Sequence, residues 1–238
     1  MKQKRMLLIS NSTNAGEAYL DYPKHNIKEF LGEIKEVIFV PYAMVSGTFD
    51  DYLAKVQNRF SEIGIAVRSV HNEADPVAAV RSADAIVVGG GNTFHLVKMM
   101  QEQGLIEAIA ERVNEGVPYV GWSAGSNVTC PTLCTTNDMP IVEPLSFRTM
   151  GLIPFQINPH YLDINPAGHA GETREQRIEE FIAANKSVWV AGLREGCMLK
   201  VEGDHMTLIG SRPMRLFHYG DVPRELLAAD NLDFLLKV

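Results

Sequence analysis

The sequence predicts a layered α/β/α fold around a mostly parallel central sheet, and three observations carry that prediction. Short β-rich apolar runs alternate with amphipathic helical periods as far as Asn185, which implies parallel strands joined by right-handed crossovers. Runs such as Ala85-Ile86-Val87-Val88 are apolar at every position, as in a sheet buried on both faces. Beyond Val188 strand-like runs follow one another with only turns between them. Antiparallel strands are therefore expected near the C-terminus, added to one edge of the sheet.

In chain order, Met1-Lys2-Gln3-Lys4-Arg5 is basic and Met6-Leu7-Leu8-Ile9 apolar, but the run stops at Ser10-Asn11-Ser12-Thr13-Asn14. That is too short for a secretory leader, so Met6–Ser10 is read as a buried first strand. Further strands are expected at Val37–Val40, Ile65–Val70, Ala85–Val88 and Tyr119–Gly121. Between them, Thr48–Ile63 places Phe49, Tyr52, Leu53, Val56, Phe60 and Ile63 on one helical face. Thr48 with Asp51 starts that helix in capping-box style and Gly64 stops it. Helices follow at Thr93–Gln103 and Leu105–Asn114, separated by Gly104, and another begins near Ala124. Phe155–Tyr161 is strand-like and is expected to end at a turn imposed by Pro159. Glu172–Asn185 reads as a helix with Thr173 and Gln176 in capping positions, burying Ile178, Phe181 and Ile182. The C-terminal strands are expected at Val188–Leu193, Cys197–Val201, Met206–Ile209 and Arg215–His218, with a hairpin turn in Glu202-Gly203-Asp204-His205. No repeat, low-complexity segment or linker interrupts the chain, so residues 1–238 are read as a single domain.

Composition narrows the function classes. The chain has 238 residues, 46% hydrophobic and 21% charged, which fits an ordinary globular protein. Its net charge is −7 and it has no Lys/Arg block, which argues against nucleic acid as a partner. No apolar run reaches the roughly 18 residues of a membrane span. Cys130, Cys134 and Cys197 are odd in number and form no C-x-x-C pair, so reduced thiols and a cytoplasmic location are expected. No His/Cys/Asp set has ligand spacing, so neither metal nor other cofactor is expected.

The strongest chemical signal is Gly121-Trp122-Ser123-Ala124-Gly125, placed between a predicted strand and a predicted helix. A serine on such a turn is lifted out of the sheet, its small neighbours let other backbone approach, and the helix start favours developing negative charge. A serine hydroxyl needs a base. His25, His71, His95, His169, His205 and His218 read as surface or helix-face residues, whereas His160 lies at a strand end, where α/β sites are built. Asp138, Asp163 and Glu195 are candidates to orient it. Glu195, at a strand end before Gly196, is the best placed. The order Ser, His, acid differs from that of α/β-hydrolases. A second glycine element, Val88-Gly89-Gly90-Gly91-Asn92-Thr93, has Phe94 where a dinucleotide motif needs glycine, and no Walker lysine. It suits an oxyanion hole instead, with one N–H from Gly90 or Gly91 and another from Ala124.

Five segments, Val88–Phe94, Gly121–Asn127, Thr135–Val142, Ile157–Tyr161 and Gly171–Ile178, together resemble the peptidase E family of bacterial aspartyl dipeptidases. The likeness runs from Leu8 to about Gly196 and thins beyond it. It implies a serine peptidase related to cyanophycinases, on a class I glutamine-amidotransferase-like (flavodoxin-like) fold. It implies cleavage of Asp-Xaa dipeptides by Ser123, His160 and Glu195, with Gly91 and Ala124 as oxyanion donors and Asp138 as the loop aspartate required for activity. On that basis Asp138 is expected to pair the substrate ammonium and Arg174 its side-chain carboxylate, with Asn92 assisting. One departure is Leu193-Arg194-Glu195-Gly196-Cys197-Met198 where the family tends to have Leu-Pro-Glu-Gly-Asn-Trp, which suggests a different pocket wall at Cys197 and Met198. The expected partner is a small peptide substrate, for a monomer or homodimer. The rival readings are a cyanophycinase-like hydrolase of β-aspartyl-arginine units and a non-catalytic binding module.

Overall fold

The computed structural model describes residues 3–165, 168 and 170–238. The predicted Met6–Ser10 run forms β1 (Arg5–Ile9), and the other early runs form β2 (Glu36–Val40), β3 (Ala66–Ser69), β4 (Ile86–Val88) and β5 (Tyr119–Trp122). All are parallel, in the order β3-β2-β4-β5-β1. Their side chains alternate between two cores. Leu7, Ile9, Phe39, Val87 and Trp122 pack on one side with α1 (Lys24–Leu31) and α2 (Phe49–Ser61). Met6, Leu8, Ile38, Val40, Ile86 and Val88 pack on the other with α3 (Pro76–Ser82), α4 (Thr93–Glu102) and α5 (Leu105–Asn114). This is the α/β/α layering that the uninterrupted apolar strands require.

The capping chemistry falls where the sequence puts it. Thr48 Oγ1 accepts from Asp51 N at 3.0 Å to start α2. Thr173 and Gln176 form a reciprocal capping box at the start of α7 (Arg174–Ala184). The short helices α1 and α3 are additional to the expected elements, although Asp75 as cap and Pro76 at the first position mark α3 in the sequence.

The C-terminal expectation needs correction. Only β8 (Met198–Glu202) and β9 (His205–Ile209) extend the main sheet, antiparallel beside β1, through the hairpin at Gly203-Asp204. The remaining strands build a second sheet, β11-β10-β7-β6, from β6 (Gln156–Tyr161), β7 (Val190–Arg194), β10 (Met214–Phe217) and β11 (Arg224–Leu226). Within it β6 and β7 are parallel. One face, with Ile157, Ala191, Leu193 and Leu216, joins the main core, and α7 covers the other through Ile178 and Ile182.

The Pro159 expectation changes too. The strand does not stop there but continues to Tyr161, with a register shift that skips His160. Pro159 is tolerated because β6 is an edge strand: Gln156 N donates to Trp189 O on the β7 side and Ile157 N to Cys130 Sγ on the other, and the same alternation turns the Pro159 nitrogen away from β7, where no ladder bond is lost. No helix among the described residues is long and apolar enough to cross a membrane.

Candidate active site

The carboxyl ends of β4, β5 and β1 lie side by side in the main sheet, the place where open α/β sheets bind ligands. Ser123 follows β5 and caps α6 (Ala124–Asn127) with φ 54° and ψ −112°. Such a backbone is costly for a residue with a Cβ, and its surroundings hold it there. Ser123 N donates to Ile9 O at 2.9 Å, and Ser123 O accepts from both Ser126 N and Asn127 N at 3.0 Å. A Cβ at Gly125 would collide with the Val88 carbonyl, so glycine there lets α6 close onto the end of β4.

His160 comes from the second sheet. Its φ of 54° at the irregularity in β6 turns the imidazole toward the main sheet. Nδ1–H donates to Glu195 Oε1 at 2.7 Å, and Nε2 lies 2.9 Å from Ser123 Oγ. With Nδ1 committed to the carboxylate, a neutral imidazole presents Nε2 as acceptor to the serine hydroxyl. Glu195 sits just past β7 and before Gly196, whose φ is +82°. Of the other carboxylates, Asp163 pairs with Arg194 instead of His160. Asp138 Oδ2 accepts from Thr93 N at 2.7 Å, Thr93 Oγ1 at 2.6 Å and Thr136 Oγ1 at 3.1 Å.

The glycine loop lies against the serine, since a Cβ on Gly90 would come within 2.9 Å of Ser123 Cβ. Gly91 has φ 141°, and a Cβ there would collide with the Ala43 carbonyl. Gly90 O accepts from the Tyr52 hydroxyl at 2.9 Å. Carbonyl and N–H of one trans peptide point opposite ways, so this bond turns the Gly91 N–H away from Tyr52. Neither Gly91 N nor Ala124 N has a protein acceptor among the described residues.

These groups surround a pocket of about 350 Å³ lined by Thr93, Ser123, Thr136, Asn137, Asp138, Pro159, His160, Leu162, Arg174 and Glu195. The comparisons bear on what such a pocket serves. Residues 6–209 match the model of peptidase family S51. The chain belongs to that family. It is 49% identical over 235 residues to a peptidase E of a Nostoc species, a match covering 98% of this chain and 97% of the relative. A Streptomyces coelicolor peptidase E is 50% identical over 234 residues, covering 98% and 95%, and one from Escherichia coli 45% over 222 residues, covering 92% and 97%. Among solved structures, a peptidase from an acI-B1 Actinobacterium superposes with a TM-score of 0.71 at 15% identity, covering 97% of this chain and 96% of that one. A Listeria monocytogenes protein of the peptidase E type gives 0.66 at 20% identity, covering 88% and 99%. At those identities the structures speak for the fold alone.

This S51 chain is thus a serine-type dipeptidase, and the rest of its pocket can be read as such. Arg174, at the first turn of α7, is half-buried in the pocket with no hydrogen-bond partner among the described residues. Burial, and then Arg177 beside it, push its pKa down, while Asp138 works the other way. Asn92 does not line the pocket. Its Oδ1 caps α4 through His95 N at 3.0 Å and its Nδ2 donates to Met139 O at 2.9 Å, so both of its side-chain polar atoms are engaged in holding loops. Cys197 and Met198 form no pocket wall either: both are buried, with Cys197 Sγ donating to Arg212 O. Arg194, the residue at the family's proline position, is buried and pairs with Asp163 and Glu225. Hydrogen bonds from Arg194 hold both of those carboxyls below their ordinary pKa values.

Four of the other histidines have local partners. His71 contacts Asp50 and Ser69, His95 donates to Tyr42 O, His205 pairs with Asp233 and His218 with Asp221. His169 lies outside the described residues, as do Met1 and Lys2. Sequence reasoning assigned no site role to Tyr52, Thr93 or Thr136. Tyr52 reads there only as part of an apolar helix face, and nothing local shows that its hydroxyl reaches Gly90.

Proposed function

We propose that this dipeptidase removes an N-terminal aspartate from Asp-Xaa substrates through an acyl-enzyme formed on Ser123. The observation that carries the reading is the continuous Ser123–His160–Glu195 hydrogen-bond chain, opening into a pocket that also holds one half-buried guanidinium and one fixed carboxylate. His160 Nε2 takes the Ser123 proton as Oγ attacks the aspartyl carbonyl carbon. The oxyanion accepts from Gly91 N–H and Ala124 N–H. Collapse breaks the C–N bond, and the imidazolium, stabilised by Glu195, returns the proton to the leaving amine. Water, deprotonated by His160, then cleaves the ester and frees aspartate. Arg174 binds the substrate side-chain carboxylate as a fork, and Asp138 binds the ammonium. We further infer that the whole chain acts as one domain, cytoplasmic and either monomeric or homodimeric, in keeping with three free cysteines.

A substrate panel tests the specificity. Asp-Leu is expected to be cleaved efficiently, and Asn-Leu, Ala-Leu and N-acetyl-Asp-Leu at least about 100-fold less so, because each leaves a site charge unpaired. Efficient cleavage of the acetylated peptide would remove the ammonium argument. Preference for β-Asp-Arg would move the enzyme to the cyanophycinase-like reading, and inertness toward all of these to the binding-module reading.

The oxyanion loop makes its own prediction. Gly91→Ala places a Cβ against Ala43 O and a side chain at a φ disfavoured for it. Stability measured by urea titration is expected to fall by about 1–3 kcal/mol, and kcat for Asp-Leu by about 100-fold or more. Unchanged kcat in a folded Gly91→Ala variant would show that the added Cβ does not displace the loop, and would overturn this expectation.

A further inference from the structure

The mechanism draws Ser123 from the main sheet and His160 and Glu195 from the second sheet. Something must fix the two halves to within a few tenths of an ångström. Where the chain leaves β1 it meets Ser123, His160 and the residue after Glu195 in succession. Ile9 O accepts from Ser123 N at 2.9 Å. Ser10 Oγ accepts from His160 N at 3.0 Å and donates to Leu193 O at 2.7 Å. Asn11 Oδ1 accepts from Gly196 N, the residue after Glu195, at 2.9 Å. Ser10 and Asn11 are 0% and 1% exposed.

We propose that Ser10 is a positioning residue for His160, its hydroxyl holding the strained backbone of β6 against β7 at the height of Ser123. Ser10 has one hydroxyl proton, and that proton goes to Leu193 O. Its lone pair is then what receives the His160 N–H. His160 has the φ of 54° that a side-chain-bearing residue keeps only under external constraint. Its N–H falls at the register shift, outside the β6–β7 ladder, so Ser10 takes over a bond the sheet does not make. Without that acceptor a buried N–H and a buried carbonyl are both orphaned. The backbone then relaxes, and the imidazole moves off its two contacts at 2.7 and 2.9 Å. Ser10 does not itself line the pocket and meets it only through the backbone of His160, so binding is expected to survive where catalysis does not.

This inference rests on the proposed roles of Ser123 and His160, and the test separates the two. Ser10→Ala, Ser10→Cys, Ser69→Ala and Ser123→Ala would be compared with wild type. The readouts are kcat and KM for Asp-Leu per titrated active site, and the rate at which an organophosphonate modifies Ser123. Ser69 is buried like Ser10 and also donates to a strand carbonyl, Phe39 O, but lies away from the pocket. Ser10→Ala is expected to lower kcat and the modification rate together by about 10- to 100-fold, with KM within about twofold. Ser69→Ala is expected to leave them unchanged. If Ser10→Ala does not fold, the near-isosteric Ser10→Cys carries the test, with kcat expected between wild type and the alanine range. A folded variant at position 10 with wild-type kcat and modification rate, beside an inactive Ser123→Ala, overturns the Ser10 role alone. A fully active Ser123→Ala overturns the site reading and the Ser10 role with it.

Discussion

Ser123→Ala is expected to lower kcat for Asp-Leu by about 10⁴- to 10⁶-fold while leaving KM and folded stability almost unchanged. Alanine keeps the Cβ, so the φ of 54° and the bond from residue 123 N to Ile9 O are retained. What disappears is one oxygen, 2.9 Å from His160 Nε2. The pocket walls and the free N–H groups of Gly91 and Ala124 remain, so a small residual rate by direct water attack is expected. Because the three residues act as a unit, adding His160→Ala to Ser123→Ala should cost little more. Turnover assays with each purified variant, paired with thermal melts, check both statements. A Ser123→Ala enzyme within tenfold of wild type would end the acyl-enzyme scheme.

Arg174→Met is expected to reduce kcat/KM for Asp-Leu by about 30- to 4,000-fold, the range given by about 2–5 kcal/mol for truncating one partner of a buried charge pair. The same change should leave the slow cleavage of Asn-Leu nearly untouched, so the preference for aspartate collapses. The guanidinium is half-buried, has no acceptor among the described residues, and sits in the first turn of α7, whose N-terminal dipole also favours an anion. The helix itself should survive, since its capping box is made by Thr173 and Gln176 and its packing by Ile178 and Ile182. Arg174→Lys should recover part of the loss, because it keeps the charge but not the bidentate fork. Steady-state kinetics on Asp-Leu and Asn-Leu decide the matter. Retained selectivity in Arg174→Met would place the substrate carboxylate elsewhere. With a net charge of −7, the protein's overall charge does not favour an acidic substrate, and the proposed site would draw it through local cations such as Arg174 and the exposed N–H groups.

The legible parts of this protein are those whose physics is local. The alternation of apolar strands and capped helices announces the α/β/α layering before any contact is known. Gly121–Gly125 announces a strained serine, because only small residues permit that turn. His160 is legible by its place in an apolar run, and Glu195 by its place at a strand end. The errors share one cause. Pro159 looks like a strand breaker because the sequence does not show that β6 is an edge strand with the nitrogen of residue 159 facing away from its partner. The strands after Val188 look like an extension of one sheet, yet only β8 and β9 extend it. Asn92 looks like a substrate contact, but α4 and Met139 take its side chain. Cys197 and Met198 look like pocket wall, but both are buried.

By itself, then, the sequence determined most of the strands and helices, though not α1, α3 or β11, and the residue types able to carry acyl transfer. Only the tertiary structure decided which strands pair, and through them that Ile9, Ser10 and Asn11 meet Ser123, His160 and Gly196. The reason is that ladder hydrogen bonds join backbone to backbone and are nearly blind to side-chain identity. Partner choice is settled by which apolar faces can be buried together across the whole chain, a quantity no local window contains.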